Sequence, residues 1–262
     1  MTSKRAKVSA LDRRAAANAY FDASKKPLQI LVFLLPLVIV YEIGLVFFLP
    51  TEDGFLTNKA HKTLLGFFDT FGITAGGGFY HLGGVALVVV LFAWHILSKD
   101  KWKLDGSAMG LMAAESIVLT IPLIVISQIL PSIANTEAVA TTLAMAAPEL
   151  ESLSIWSRFT ISVGAGLYEE LLFRMLLIAV IHTLLVDVAK MSASNGATIA
   201  VIISAIAFTL YHPLPGLGSV VFYFLAGLYF GSVYVVRGFG IVVGVHAVYD
   251  IIMVSMLPSS PL

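Results

Sequence analysis

Apolar residues in this chain come in long uninterrupted runs, without the one-sided stripes of water-soluble helices. A helix needs about 20 mostly apolar residues to cross the hydrocarbon core of a bilayer. Seven runs meet that rule, over about 28–50, 78–97, 107–130, 158–185, 196–212, 219–236 and 239–257. Two further stretches bear on the count. Residues 136–147 are apolar but short, and residues 55–79 mix aromatic and glycine residues with charges. Either is suited to lie in the interface or to re-enter the membrane. The pattern predicts an all-α fold, a polytopic transmembrane helical bundle of about seven to eight spans.

The polar residues between the runs give the orientation. Residues 1–27 carry Lys4, Arg5, Lys7, Arg13, Arg14, Lys25 and Lys26, and read as a basic cytoplasmic leader. With seven spans, the other loops on that side hold Lys99, Lys101, Lys103, Lys190 and Arg237. The opposite loops hold Lys59 and Lys62, with Arg158 at a boundary, and the acids Glu52, Asp53, Glu137, Glu149 and Glu151. The expectation is an amino terminus inside and a carboxyl terminus outside, which an eighth span would invert. The first apolar run is too long for a signal h-region and lacks a small-residue cleavage site, so it is expected to anchor. Residues 28–262 read as a single transmembrane domain with no soluble domain, low-complexity segment or internal repeat. The expected location is the cell membrane, as a multi-pass protein.

Composition agrees with this picture and narrows the chemistry. Of 262 residues, 58% are hydrophobic and 12% charged, where soluble domains carry about 25% charged residues. Mean hydropathy is +0.93. The formal net charge is zero, so no nucleic-acid partner is expected and membrane lipid is the partner implied. The absence of cysteine excludes disulfides, cysteine-ligated zinc and a thiol nucleophile.

Small residues recur at helix-packing spacing: Gly227 with Gly231, Gly240 with Gly244, and more weakly Ser162 with Gly166. They predict close packing among spans four, six and seven.

Charges inside the spans need partners, because each costs about 2.5–3.5 kcal/mol at a helix centre on insertion scales. The stretch GAGLYEELLFRMLLIAV (164–180) holds Glu169, Glu170 and Arg174. Glu170 and Arg174 are four apart with the acid first, the favourable order for an ion pair on one face. Glu169 lies about 100° away and must be met from elsewhere. Two later spans offer imidazoles. The fifth run ends AIAFTLYHPLPG, placing His212 at a Pro-x-Pro-Gly break. The seventh contains HAVYD, with His246 and Asp250 on one helical face. Ionisable clusters in membrane spans mark function by default.

Other polar residues carry less. Glu42 and Glu115 lie in apolar runs and are read as structural, pairing with polar neighbours or lining a cavity. His61, His81, His95 and His182 lack partners at useful spacing and are read as interfacial or surface residues. Trp94, Trp102 and Trp156 fall near span ends, as interfacial aromatics do. Glycines 76–78 read as a turn and not a phosphate loop.

The three charged motifs, in order and each in an apolar run, resemble those of the CAAX protease and bacteriocin-processing family, which includes the type II CAAX prenyl endopeptidases. EELLFR resembles its EExxxR motif, FTLYH its FxxxH motif, and HAVYD its last motif, a histidine followed four residues later by asparagine or another polar residue. The resemblance covers about residues 155–257. It implies an intramembrane endopeptidase in which Glu169 and His212 hold and deprotonate a water, and His246 with position 250 stabilises the oxyanion. Glu170 and Arg174 would position the first pair. The implied substrate is a membrane-anchored or lipidated protein or peptide.

Asp250 departs from the prenyl endopeptidase branch, where that position is asparagine. An ionised aspartate only accepts hydrogen bonds. Three roles stay open: a protonated Asp250, an Asp250 that orients His246 as a cation, or a metal ligand. Glu169, His212, His246 and Asp250 are all competent zinc ligands, although HExxH spacing is absent. Glutamate-type chemistry, with no cofactor, is favoured over zinc. Two other functions compete: a catalytically silent immunity or scaffold protein of the same fold, and a proton-coupled transporter using Glu42, Glu115 and Glu169.

Overall fold

The structure, a computed structural model, describes residues 15–52, 54–73, 79–133 and 152–256. Helix α1 (15–24) leads into α2 (Pro27–Phe48), which starts with proline at its first position, where the missing N–H costs nothing. A two-residue antiparallel pair, β1 (Pro50–Thr51) with β2 (Gly54–Phe55), precedes α3 (Lys59–Asp69), capped by the Asn58 side chain. Then follow α4 (Leu82–Ser98), α5 (Gly106–Ile133), α6 (Ile155–Val188), α7 (Ala193–Tyr211), α8 (Leu217–Arg237) and α9 (Phe239–Ser255). Serines cap α6 and α7, Ser154 and Ser192 each accepting a backbone N–H three residues on. Gly238, with φ +92°, makes the reversal between α8 and α9.

Helices α2, α5, α6, α7 and α8 are long and apolar enough to cross a membrane, and α4 and α9 are shorter apolar helices of 17 residues. The chain is an integral, multi-pass, all-α membrane protein. The apolar runs read from the sequence coincide with these helices to within a few residues.

Contacts sort the helix ends into two sets. At one end the Gln29 side chain exchanges hydrogen bonds with the backbone of Asp105, and Arg237 reaches Glu115. At the other, Ser157 donates to the Phe48 carbonyl and Lys59 to the Tyr211 carbonyl. Among the described residues, helix α5 therefore finishes at the end where α6 begins. Residues 136–147 and glycines 76–78 lie outside the described residues. Within 55–79, α3 is an amphipathic surface helix that buries Ala60, His61 and Leu64.

The small-residue pairs make close contacts, but not all between the spans expected. A methyl group at Gly166 would meet the backbone of Ala247, so span four does press on span seven. Gly227 instead faces Ala205 and Gly231 faces Val201, packing span six on span five. Gly240 faces Met112 and Ile30, and Gly244 faces Ser116, seating span seven against spans three and one. Spacing identifies a close-approach face but leaves its partner open. Hydroxyls reinforce that seam: Ser116 and Thr120 donate to carbonyls of α5 and also reach those of Ile241 and Val245.

Candidate active site

Helix α6 widens to π geometry over Leu171–Leu177, directly after Glu169 and Glu170 and around Arg174. Such widening shifts the helical register and frees backbone groups from their usual partners. Ser204 of α7 answers one of them, donating to the Phe173 carbonyl at 2.8 Å. Nothing in a 3.6-residue apolar period marks this change.

Arg174 and Glu170 form the expected pair at 3.2 Å, with no exposure on either side chain. The guanidinium also lies over the Phe208 ring, 4.4 Å from its centroid, and 5.3 Å from that of Phe230. The second oxygen of Glu170 accepts from His246 Nδ1 at 2.7 Å. Glu170 and Arg174 thus lie behind His246, whereas the resemblance had implied that they position the Glu169–His212 pair. The His246 ring is stacked on Phe230, 4.5 Å between centroids.

His212 stands at the end of α7 because of the prolines that follow it. The Thr209 carbonyl would look four residues on to Pro213, which has no N–H; the His212 backbone N–H serves it instead, at 3.1 Å. That leaves the Phe208 carbonyl, which takes the His212 side chain: Nδ1 donates to it at 2.8 Å. A carbonyl only accepts, so Nδ1 carries the proton. The ring stacks on Tyr223 at 4.1 Å and turns Nε2 toward Glu169, 3.4 Å away.

Glu169 is therefore faced by His212 from α7 at 3.4 Å and by His246 Nε2 from α9 at 3.9 Å. Asp250 Oδ2 stands 3.5 Å from His246 Nε2. These four residues share a cavity of about 240 Å³, whose other walls include Leu123, Phe222, Tyr223 and Tyr249. Tyr223 and Tyr249 were not singled out from the sequence. As phenols in apolar helices with no motif around them, they left no signal there. The donors are grouped in pairs, and no three His, Asp or Glu side chains among the described residues are gathered as a metal ion would need.

Glu42 and Glu115 line no part of this cavity. Glu42 pairs with His81 and accepts from Tyr168 at 3.4 Å. Glu115 takes two bonds from Arg237 and one from the Tyr20 hydroxyl. The reading of His61 and His95 as interfacial or surface residues is corrected: both are fully buried. His61 pairs with the Tyr41 hydroxyl at 2.7 Å and stacks on Tyr168, while His95 sits under Trp102. Their partners come from distant parts of the chain, out of reach of a spacing argument. His81 is 43% exposed but bound to Glu42, and His182 is half-buried.

Residues 151–252 match the family model described as Type II CAAX prenyl endopeptidase Rce1-like. The matched segment contains Glu169, Glu170, Arg174, His212, His246 and Asp250. No curated protein and no solved structure matches the chain.

Proposed function

Since residues 151–252 match the Type II CAAX prenyl endopeptidase Rce1-like family, we propose that this membrane protein is an intramembrane endopeptidase of glutamate type. The observation that carries this reading is a buried carboxylate, Glu169, faced across a cavity by imidazoles from two other helices. With Nδ1 donating to the Phe208 carbonyl, His212 presents Nε2 to the Glu169 carboxylate. Both groups border the cavity, where one water can be reached by the carboxylate and by the imidazole together. Glu169 then takes a proton from that water as its oxygen attacks the scissile carbonyl. His246 receives the developing oxyanion. Glu169 returns the proton to the amide nitrogen, the C–N bond breaks, and a carboxylic acid and an amine leave.

Asp250 orients His246 as a cation. Glu170 accepts at Nδ1 and Asp250 faces Nε2, an arrangement that suits a ring protonated on both nitrogens. Glu170 and Arg174 hold that ring in place. Charged donors fixed in advance in a site walled by apolar side chains act more strongly on an oxyanion than they would in water. The substrate class is a membrane-anchored or lipidated protein or peptide, and the amino terminus lies on the cytoplasmic side of the cell membrane, as the basic leader supports.

The test is cleavage of a library of membrane-anchored peptides by wild type and Glu169→Ala in proteoliposomes, each with and without a chelator. Loss of cleavage in the variant, by roughly 10²–10⁴-fold for a lost general base, with no effect of chelator on wild type, is expected. Chelator sensitivity would transfer the chemistry to a metal held by Glu169, His212, His246 and Asp250. Equal cleavage by the two proteins, or none by wild type, would overturn the protease reading and leave the silent immunity or scaffold protein.

A further inference from the structure

Helix α7 ends in a way that its own backbone cannot complete. The Tyr211 carbonyl would accept from the N–H four residues on, but that residue is Pro215. A helix carbonyl without a donor, one residue before His212, has to be answered from outside. Lys59, the first residue of α3 and about 150 positions earlier, supplies the donor: Nζ bonds the Tyr211 carbonyl at 2.7 Å. The same ammonium lies 4.0 Å from the centre of the Tyr211 ring. One turn along α3, Thr63 Oγ1 stands 3.3 Å from the Tyr211 hydroxyl. A cation at a helix C-terminus is also favoured by the helix dipole. Three contacts from one surface helix thus converge on the residue beside His212. On its other side, Tyr211 packs edge-on against Phe173 in the π-widened turn of α6, 5.1 Å between centroids.

We propose that Lys59 is a positioning residue for His212, and that α3 is the strap through which the first half of the chain sets the geometry of the site. The role of His212 in holding water rests on the function proposed above; the clamp itself does not. The ring of His212 is fixed by a single bond to the Phe208 carbonyl and by stacking on Tyr223. Both depend on where the chain leaves α7, and that exit is fixed by the bond from Lys59. Its release lets the turn at 211–217 shift, moving Nε2 relative to Glu169 without touching either group. Lys59 is exposed, so its replacement leaves no buried charge and should not prevent folding.

Two measurements on the full chain in detergent micelles test this. Amide hydrogen exchange over residues 209–217 is compared in wild type, Lys59→Met, Lys59→Arg and Thr63→Val. Lys59→Met is expected to speed exchange of the His212 amide by about tenfold while amides in the middle of α6 and α9 keep their rates. Lys59→Arg, which keeps a charged donor, is expected to restore most of the protection, and Thr63→Val to have a smaller effect. Unchanged exchange in Lys59→Met, or loss of protection in Lys59→Arg equal to that in Lys59→Met, would overturn the clamp. The second measurement is cleavage of the best peptide from the library. Lys59→Met should lower kcat by about tenfold or more with KM little changed, because misplacement of a catalytic group acts on the transition state. A change confined to KM would assign Lys59 to substrate binding and overturn the positioning role. Exchange that responds as expected in a protein that cleaves nothing would defeat the protease reading and leave the clamp intact.

Discussion

Two buried arginine–glutamate clusters brace this bundle, built from the same parts. In each, a guanidinium lies over an aromatic ring and meets a carboxylate: Arg174 over Phe208 with Glu170, and Arg237 over Phe21 with Glu115. The difference is in what surrounds the pair. Arg237 grips both oxygens of Glu115, at 2.5 and 2.7 Å, with Tyr20 closing the same carboxylate, and Glu115 keeps 22% of its side chain exposed. Both carboxylate oxygens are used. At Glu170 one oxygen goes to Arg174 and the other to an imidazole, and the next residue along, Glu169, meets two histidines at 3.4 and 3.9 Å on the wall of a cavity. A closed pair braces helices, whereas a carboxylate that borders a cavity can receive a water from it. The cavity that Glu169 borders, with imidazoles 3.4 and 3.9 Å away, separates a chemical site from a structural one.

The largest expected effect tests that contrast directly. Arg174→Met leaves Glu170 without its cation at a position with no exposure, and breaking a buried pair from one side costs about 3–5 kcal/mol. Arg237→Met leaves Glu115 near water and still bonded to Tyr20, so about 1–2 kcal/mol is expected, nearer to the loss of charged hydrogen bonds. Denaturant unfolding in micelles measures both. The folded fraction of Arg237→Met should keep its kcat. Equal destabilisation by the two substitutions would mean that the depth of burial does not distinguish the clusters.

The sequence made much of this bundle legible, for a reason that membranes impose. A backbone in lipid must satisfy its own polar groups, so long apolar runs can only be helices. The same pressure made Glu169, Glu170, Arg174, His212, His246 and Asp250 conspicuous against that background. What stayed hidden is whatever a linear period cannot encode. The π turn at Leu171–Leu177 leaves no mark in an apolar run, the partner of a glycine face is set by the tertiary fold, and Lys59 meets Tyr211 across about 150 residues. The burial of His61 stayed hidden too, because its partners, Tyr41 and Tyr168, are ordinary aromatic residues in other helices.

His61 also supplies the next effect in size, and a contrast with His212. Burial against Tyr41 and Tyr168 pushes its pKa from the ordinary 6.5 down to about 4, with the nearby His81 pushing the same way. The folded protein therefore holds it neutral, whereas the unfolded chain takes up a proton below about pH 6.5. Its contribution is full above that pH and is lost as pH falls through the interval down to about 4, up to roughly 3 kcal/mol. Thermal unfolding of wild type and His61→Gln, at pH 7 and at pH 4.5, isolates it. Wild type should lose more stability on acidification than the variant, which keeps an acceptor for Tyr41 but cannot titrate. Parallel losses would mean that His61 is hydrated and free to take up its proton.

Asp250 offers the smallest and most discriminating change. In the proposed chemistry its carboxylate faces His246 Nε2 from 3.5 Å while Glu170 holds Nδ1 from 2.7 Å. Of the two, Glu170 is nearer and wholly buried, so the ring keeps its main anchor when position 250 changes. Asp250→Asn preserves shape, still offers an oxygen to Nε2 and adds an N–H that can itself donate to an oxyanion. Its kcat/KM should stay within about tenfold of wild type, or 1.4 kcal/mol. Asp250→Leu supplies neither group and should fall well below that. If asparagine instead proves as inactive as Glu169→Ala, the carboxylate charge at position 250 is itself required. Asp250 would then share the chemistry with Glu169, and the distinction between the open carboxylate and its closed neighbours would have to be drawn around two acids instead of one.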